Sequence, residues 1–304
     1  MRADMRVTIA GVEFKTPVIA ASGTFGFGRE YENIIDLDKI GGISLKGITP
    51  QKRTGNPPPR IAETDAGMLN SVGLQNPGIE AFIKDILPEI RKYKTVLIAN
   101  ISGNTAEEYA DMCERLDDTD IDMIEVNLSC PNIHAGRLLF GTSREGVEQA
   151  VGAARRATTK PLIVKLTPNV TDITEPAKAA EASGADAISL INTIMGMAID
   201  LETRRPILRN NTGGLSGPAV KPVALRMVSE CARSVKIPII GMGGINSGRD
   251  ALEFMVAGAS AVMVGTATII EPDACLRIAR EMEGYLEEKG IAAVRDVVNT
   301  LQLY

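Results

Sequence analysis

Short, mainly apolar runs alternate with longer segments of helical periodicity along most of the chain. The first two runs, 7–9 and 12–14, flank Gly11 and predict a β-hairpin. Eight further runs have the length and apolar character of strands that are buried on both faces. These runs are 18–21, 43–45, 96–99, 123–126, 162–164, 187–190, 239–240 and 261–264.

The segments between these runs predict helices. Residues 105–117 and 145–158, for example, place apolar residues at helical spacing. Strand–helix units that repeat to the end of the chain without a split in composition favour a closed (β/α)8 barrel over an open doubly wound sheet. We therefore predict an α/β fold in which residues 1–304 form a single TIM barrel domain with an N-terminal β-hairpin.

Two connections, 46–76 and 193–217, are too long for ordinary barrel turns. Each begins at the carboxyl end of a predicted strand, the end at which barrel enzymes carry their active sites. We expect both to be functional loops over the barrel mouth, with surface decoration as the alternative. Within the second connection, we expect the apolar stretch 194–199 to pack under the loop rather than to form an interface.

Composition and charge exclude several classes of protein. The chain has 304 residues and 44% hydrophobic content. Its net charge of -5 argues against a nucleic-acid-binding surface. No apolar run approaches the roughly 20 residues needed to cross a bilayer, so we expect a cytoplasmic protein without a membrane contact. Four separated cysteines and a single histidine, His134, make a metal centre in this chain unexpected.

One of the four cysteines differs from the others. Cys113, Cys231 and Cys275 each lie on an apolar helical stripe, where sulfur acts as a small core hydrophobe. Cys130 instead follows the run 123–126 and directly precedes Pro131, which ends regular structure. We therefore predict that the Cys130 thiol stands in a loop at the barrel mouth, where it is a candidate for chemistry.

Polar residues and glycines cluster at the carboxyl ends of the predicted strands. They are Ser22, Lys46, Gly47, Asn100, Asn127, Cys130, Lys165, Asn192, Thr193, Gly243, Gly244, Gly265 and Thr266. In a barrel these positions converge on one mouth. Buried amides and ammonium groups are costly without polar partners, so the pattern indicates a binding site for a polar ligand.

The glycine pairs after the last two predicted strands indicate a phosphate site. Backbone amides of glycine can approach a phosphate closely, although tight strand-to-helix turns would explain either pair alone. Asn246 stands where the third glycine of a dinucleotide fingerprint would fall, so a mononucleotide fits better. Flavin mononucleotide (FMN) needs a cation near the ring that becomes anionic on reduction, and Lys165 is a candidate.

Four segments, 44–47, 70–78, 127–132 and 213–218, resemble the dihydroorotate dehydrogenase family, and the resemblance extends over about 12–267. It implies a (β/α)8 barrel with FMN at its mouth. The activity it implies is the oxidation of dihydroorotate to orotate, the redox step of de novo pyrimidine biosynthesis.

The resemblance also implies site residues, matched position by position. The expected flavin contacts are Ser22, Lys46, Gly47, Asn100, Asn127, Lys165, Ile191, Gly217, Gly243, Gly244, Gly265 and Thr266. The expected substrate contacts are Lys46, Asn70, Ser71, Val72, Gly73, Leu74, Asn127, Asn132, Asn192 and Thr193. The reaction needs a base and a hydride acceptor at opposite ends of one bond, and Cys130 is the expected base.

The motifs 74–78, 140–142 and 213–222 look more like the NAD-linked type of the family (class 1B) than the fumarate-linked homodimer. The membrane-associated branch carries an N-terminal extension and a serine base, whereas here the barrel starts early and Cys130 takes that position. The resemblance implies the catalytic subunit of a heterotetramer with two catalytic and two electron-transfer subunits. The partner would carry FAD and a 2Fe-2S cluster and would pass electrons to NAD.

The loop after Cys130 departs from the pattern of this branch. Residues 131–137 differ from the lysine- and glycine-containing sequence that the resemblance leads us to expect. The closure of this loop and the role of His134 therefore stay open.

Three alternatives compete with this interpretation. A dihydropyrimidine dehydrogenase-like reductase of uracil or thymine would share the cysteine but usually lacks the Cys-Pro-Asn continuation seen at 130–132. A flavin-dependent tRNA dihydrouridine synthase would need a basic RNA-binding surface, which the sequence pI of about 5.2 disfavours. A flavoprotein without catalytic activity is the third.

Overall fold

The computed structural model of the protein describes residues 2–129 and 140–304. The strands, in chain order, are β1 Val7–Ile9, β2 Val12–Phe14, β3 Val18–Ala20, β4 Gly42–Ser44, β5 Ile61–Thr64, β6 Gly67–Asn70, β7 Val96–Ile101, β8 Met123–Asn127, β9 Leu162–Lys165, β10 Ala187–Leu190, β11 Ile194–Gly196, β12 Ile199–Asp200, β13 Arg205–Pro206, β14 Gly213–Ser216, β15 Ile239–Met242 and β16 Ala261–Val264.

Within the described residues, parallel strands close into a barrel in the order β3, β4, β7, β8, β9, β10, β15 and β16. Each of these strands overlaps one of the predicted apolar runs, and β1 and β2 form the predicted antiparallel hairpin. The prediction of a closed (β/α)8 barrel is therefore confirmed, and the open doubly wound sheet is excluded. Nearly continuous apolar strands close in this way because helices cover one face and the barrel interior covers the other.

The helices, in chain order, are α1 Ile79–Ala81, α2 Leu87–Ile90, α3 Ala106–Asp117, α4 Arg144–Arg156, α5 Thr174–Ala182, α6 Lys221–Ala232, α7 Gly248–Val256, α8 Thr266–Ile270 and α9 Ala274–Lys289. A π-helical turn, Phe82–Ile86, joins the first two. Single 3₁₀ turns occur at Arg29–Tyr31, Leu37–Lys39, Phe140–Thr142, Pro218–Val220 and Val294–Val297. In the parts of the chain that the structure describes, no helix is both long and apolar enough to span a bilayer.

The two predicted example helices begin at side-chain caps. Thr105 accepts a hydrogen bond from Glu108 N at the start of α3, and Ser143 accepts one from Gly146 N at the start of α4. Such caps satisfy amide groups that the first helical turn leaves without a partner. The two helices therefore begin close to where the sequence pattern places them.

The three cysteines that were expected in the core are all buried. Cys113 lies in α3, Cys231 in α6 and Cys275 in α9, each on the face that packs against the barrel core. Burial raises the pKa of each thiol to about 12. These cysteines are therefore structural and chemically quiet at neutral pH.

We expected the two long connections to be loops, but both contain strands. Residues 46–76 contain β5 and β6, and residues 193–217 contain β11 to β14. Four of these strands form one antiparallel sheet in the order β11, β14, β6, β5. The prediction missed them because each strand is at most four residues long, and because the sheet depends on the pairing of β6 in the first connection with β14 in the second.

The stretch 194–199 also departs from its prediction. Met195, Met197 and Ile199 are 47%, 51% and 57% exposed, so they do not pack under a loop. Alternate side chains of an extended segment point to opposite faces, and only the intervening Ala198 packs against the small core formed around Leu208. The prediction of burial was wrong for three of the six residues.

Candidate active site

The strand register brings two predicted site residues together at the carboxyl end of the barrel. Asn127, the last residue of β8, pairs with Lys165, the last residue of β9. Lys165 is 5% exposed, and no described residue accepts a hydrogen bond from its Nζ. A buried ammonium group without an acceptor is costly, so this position is suited to a polar or anionic ligand.

A second lysine, Lys46, follows β4. Its backbone amide donates to Gly26 O at 2.8 Å, while its half-buried Nζ has no acceptor among the described residues. Burial lowers the pKa of Lys46, and the nearby Arg60 cation lowers it further, while Glu30 acts in the opposite direction. Lys46 and Lys165 thus give the carboxyl end of the barrel two cations that a bound anion would stabilise.

Asn127 and Asn192 form an amide pair. Asn192 Nδ2 donates to Asn127 Oδ1 at 3.3 Å, and Ser129 N donates to the same oxygen at 3.1 Å. Tyr109 fixes the strand end from outside by donating to Asn127 O at 2.8 Å. Since Asn127 Oδ1 is occupied, Asn127 Nδ2 is the end of this amide that can donate to a ligand.

Asn100 supplies an acceptor at the end of β7. Its Nδ2 donates to Glu125 Oε2 at 2.6 Å, while its Oδ1 is buried and has no partner in the described chain. A Cβ added at Gly47 would lie 3.0 Å from this oxygen, so the glycine keeps the approach to it open. A buried acceptor without a donor fits a ligand that brings an N–H or O–H group.

The predicted substrate segment 70–74 is an ordered turn beside this acceptor. Ser71 N donates to Arg60 O at 2.8 Å, and Asn56 Nδ2 donates to Ser71 O at 2.8 Å. Gly73 has a φ of 78° and approaches Asn56 closely, so a side chain at this position would be both strained and crowded. Leu74 Cδ2 lies 3.3 Å from the Cβ position of Gly47, which puts the turn next to the end of β4.

Two of the predicted phosphate contacts after β15 and β16 lie against the end of β14. A Cβ at Gly244 would lie 2.8 Å from Gly217 O, and Thr266 Oγ1 donates to Ser216 Oγ at 2.9 Å. Gly265 directly precedes α8. Gly244 and Thr266, two of the predicted phosphate contacts, therefore both lie against the segment that ends β14, where Ser216 is a further polar residue.

The remaining predicted flavin contacts lie on neighbouring strand ends. Ser22 Oγ donates to Leu45 O at 2.7 Å, which ties the segment after β3 to the end of β4. Ile191 is buried, and its amide donates to Met242 O at 2.9 Å. Thr193 follows Asn192 and accepts a hydrogen bond from Asn169 Nδ2 at 3.0 Å. Their roles toward a ligand stay predictions.

Three of the residues considered in the sequence lie outside the described part of the chain. They are Cys130, Asn132 and His134, all within 130–139. Ser129, directly before Cys130, is the last described residue on this side, and it is tied to Asn127. In the described ranges, 2–129 and 140–304, His, Cys, Asp and Glu form no group that could hold a metal ion.

Glu125 is a buried site residue that the sequence reasoning missed. It lies in β8 between the apolar residues Ile124 and Val126 and two positions before Asn127. The signal was present, because a charged residue inside an otherwise apolar strand needs hydrogen-bond partners in the core. The fold and this site together define a barrel protein whose strand ends, at the carboxyl side, are suited to an anionic, hydrogen-bonding ligand.

Comparison with known proteins narrows this class. Residues 4–286 match the family model for dihydroorotate dehydrogenase. A protein of Geobacter metallireducens, "Dihydroorotate dehydrogenase B (NAD(+)), catalytic subunit", is 56% identical over 303 residues, covering 99% of either chain. A protein of the same name from Alkaliphilus oremlandii is 55% identical over 300 residues, again covering 99% of both.

A solved structure agrees with these relatives. The crystal structure of dihydroorotate dehydrogenase from Eimeria tenella in complex with ferulenol superposes with a TM-score of 0.81 at 25% identity, covering 98% of this chain and 88% of that one. This chain therefore belongs to the dihydroorotate dehydrogenase family.

Proposed function

We propose that the protein oxidises dihydroorotate to orotate in pyrimidine biosynthesis, with FMN at the barrel mouth. The observation that carries the proposal is the buried Lys165, which has no described acceptor and is paired with Asn127, whose side chain accepts from Asn192. Lys46, which follows β4, is a second lysine without a described acceptor. The family membership and the names of the relatives support the same reaction. They do not favour a uracil reductase or a tRNA dihydrouridine synthase.

The residues present fit FMN. Asn100 Oδ1 is a buried acceptor suited to the ring N–H, and Lys165 is a cation suited to the ring edge that becomes negative on reduction. Gly243, Gly244, Gly265 and Thr266 would hold the phosphate, with Ser22, Gly47, Ile191 and Gly217 as further contacts. When bound, FMN supplies the hydride acceptor that no side chain can provide.

The substrate would lie between this ring and the cysteine loop. Dihydroorotate has a carboxylate and alternating carbonyl and N–H groups, which match an ammonium group and a set of amides. Lys46 would bind the carboxylate. The amides would come from Asn70, Asn127, Asn132 and Asn192, with Thr193 and the turn Ser71, Val72, Gly73 and Leu74 closing the site.

Cys130 would remove the proton from the carbon next to the substrate carbonyl. A free thiol has a pKa of about 8.5, so its surroundings must favour the thiolate or couple its formation to proton removal. Cys130 directly follows Ser129 in the sequence, and the Ser129 amide donates to Asn127 Oδ1 at 3.1 Å, which supports the assignment. The ammonium group of Lys46 is a candidate for stabilising the thiolate.

The Cys130→Ala variant tests this assignment. We expect it to bind FMN and to be yellow, but dihydroorotate should no longer bleach the flavin under anaerobic conditions. The matched control is Cys113→Ala, which removes a buried thiol of α3 and should leave bleaching intact. Bleaching of Cys130→Ala at the wild-type rate would refute the role of the cysteine.

We also propose that electrons leave this chain through a partner subunit in the cytoplasm. The words "catalytic subunit" in the names of the relatives support such a partner. It would carry FAD and a 2Fe-2S cluster, pass electrons to NAD and form a heterotetramer of two catalytic and two electron-transfer subunits. Co-purification of an iron-containing second polypeptide would support this, whereas rapid turnover of the lone chain with fumarate would overturn it.

A further inference from the structure

Glu125 is a charged side chain inside the barrel that the proposed reaction does not use. It is 0% exposed. Ser44 Oγ and Asn100 Nδ2 donate to its Oε2 at 2.7 and 2.6 Å, and Ser189 Oγ donates to its Oε1 at 2.6 Å. The three donors lie on β4, β7 and β10, so the carboxylate links four barrel strands, its own β8 included.

Packing alone does not account for a glutamate at this position. A well-packed apolar residue in place of a buried charge is often neutral or stabilising. The network also leaves the buried Asn100 Oδ1 without a partner in the described chain, which a purely structural network would avoid. We therefore expect the network to act on a ligand through Asn100 Oδ1, its one acceptor without a partner in the described chain.

The carboxylate decides which end of the Asn100 amide faces the ligand. Three donors converge on the two Glu125 oxygens, so only the NH2 group of Asn100 can face it. If the amide turned over, Asn100 Oδ1 would oppose Glu125 Oε2. Asn100 consequently presents only its oxygen on the side of Gly47. We propose that Glu125 is a positioning residue, which fixes Asn100 as an acceptor for one N–H group of the ligand.

This inference rests on the proposed function, because FMN would supply the N–H group. The oxidised isoalloxazine ring carries a single N–H donor, at N3. Glu125 therefore acts through Asn100 on the recognition of this edge of the ring, without touching it. Flavins that lack the donor should bind more weakly, and that preference should depend on Glu125.

Three substitutions separate orientation from charge and packing. Glu125→Gln keeps an oxygen for Ser44 and Asn100 and turns its NH2 group to Ser189, whose hydroxyl can accept, so the orientation of Asn100 survives. Glu125→Leu removes the orienting acceptor. Because Glu125→Leu leaves three donors in apolar surroundings and can fail to fold, Glu125→Ala is made as well, since water can enter its smaller side-chain volume.

The measurement is the ratio of the dissociation constants of 3-methyl-FMN and FMN for the flavin-free protein. The methyl compound replaces the ring N–H by N–CH3, so it cannot donate a hydrogen bond to Asn100. We expect the wild type and Glu125→Gln to prefer FMN about tenfold, as for one hydrogen bond to a buried acceptor. The preference should fall toward onefold in Glu125→Leu and Glu125→Ala, whereas general loosening of the barrel would weaken both flavins equally.

Ser189→Ala is the matched control, because it removes one donor to Glu125 but leaves the bond to Asn100, so the tenfold preference should persist. A wild-type preference in Glu125→Leu or Glu125→Ala, or its loss in Glu125→Gln, would overturn the inference while the proposed function stands. A wild-type protein that binds neither flavin would overturn the proposed function and this inference with it.

Discussion

Asn70 and Gly214 are 144 residues apart in the chain and lie opposite each other in one antiparallel sheet. Asn70 Nδ2 donates to Gly214 O at 3.4 Å. A Cβ added at Gly214 would overlap the hydroxyl group of Thr193. The pairing thus joins the two long connections. It places Asn70, a predicted substrate contact in the first, against Gly214 of the second, which in turn lies against the predicted substrate contact Thr193.

Gly214→Ala should damage substrate binding. The added methyl group must displace either Thr193 or strand β14, and overpacking of this kind costs about 1–3 kcal/mol. A displacement of about 1 Å at a positioning residue can reduce kcat/KM on the order of 100-fold. We expect a clear rise in KM for dihydroorotate with a smaller change in FMN affinity, measured by steady-state kinetics and flavin titration. Kinetics equal to wild type would show that Thr193 does not bind the substrate.

Gly284→Ala is the matched control and should stabilise the protein. Gly284 lies inside helix α9, and a Cβ at this position would meet no atom within 4 Å. Replacing glycine by alanine in a helix interior gains about 0.5–1 kcal/mol, because the unfolded chain loses conformational freedom. We expect a higher free energy of unfolding in urea with unchanged kinetics. A destabilised Gly284→Ala would contradict the helix as described.

The barrel could be predicted from sequence because each of its strands is a local signal. A run such as 96–99 is buried on both faces, so it is apolar throughout and can be recognised without knowledge of the strands that pair with it. The antiparallel sheet of β5, β6, β11 and β14 could not be predicted in this way. Its strand β14 begins with Gly213 and Gly214, which have little strand propensity, and pairing with a segment more than 140 residues earlier defines it.

The site residues likewise divide into those that the local sequence reveals and those that it does not. Lys165 and Asn127 are recognisable in the sequence because each is a polar residue directly after an apolar run. Glu125 and Ser189 were missed, since each lies inside such a run and its importance comes from a partner on another strand. Cross-barrel hydrogen bonds depend on register and closure, which a single sequence does not specify.

Thiol labelling should detect at most one reactive cysteine in the native protein. Cys113, Cys231 and Cys275 are buried, and their pKa values are raised to about 12, so their thiolate form is negligible near pH 8. If Cys130 stands at the mouth, a chromogenic disulfide should modify one thiol per chain quickly and four after denaturation. Cys130→Ala should then show none in the native state. Rapid modification of two or more native thiols would contradict the described burial.

Lys46 should make the stability of the flavin-free protein depend on alkaline pH. Burial and Arg60 hold its pKa in the folded state below the ordinary lysine value of about 10.4. Between the two values the unfolded chain binds more protons than the folded chain, so the free energy of unfolding rises with pH. Wild type should therefore gain stability relative to Lys46→Met as the pH rises through this window. A difference that stays constant, or falls, would contradict the unpartnered environment of Lys46.

The affinity for orotate should depend on the protonation of Lys46 in the opposite direction, and should fall as the pH rises. A carboxylate beside Lys46 stabilises the ammonium form and should raise the pKa that burial lowers. Raising the pH through the pKa of the flavin-loaded, orotate-free enzyme removes the cation, so orotate affinity should fall in wild type. Lys46→Met should bind orotate weakly and with little dependence on pH over the same range. Titrations of flavin absorbance with orotate at several pH values measure both, and an equal pH dependence in the two proteins would assign the carboxylate to another residue.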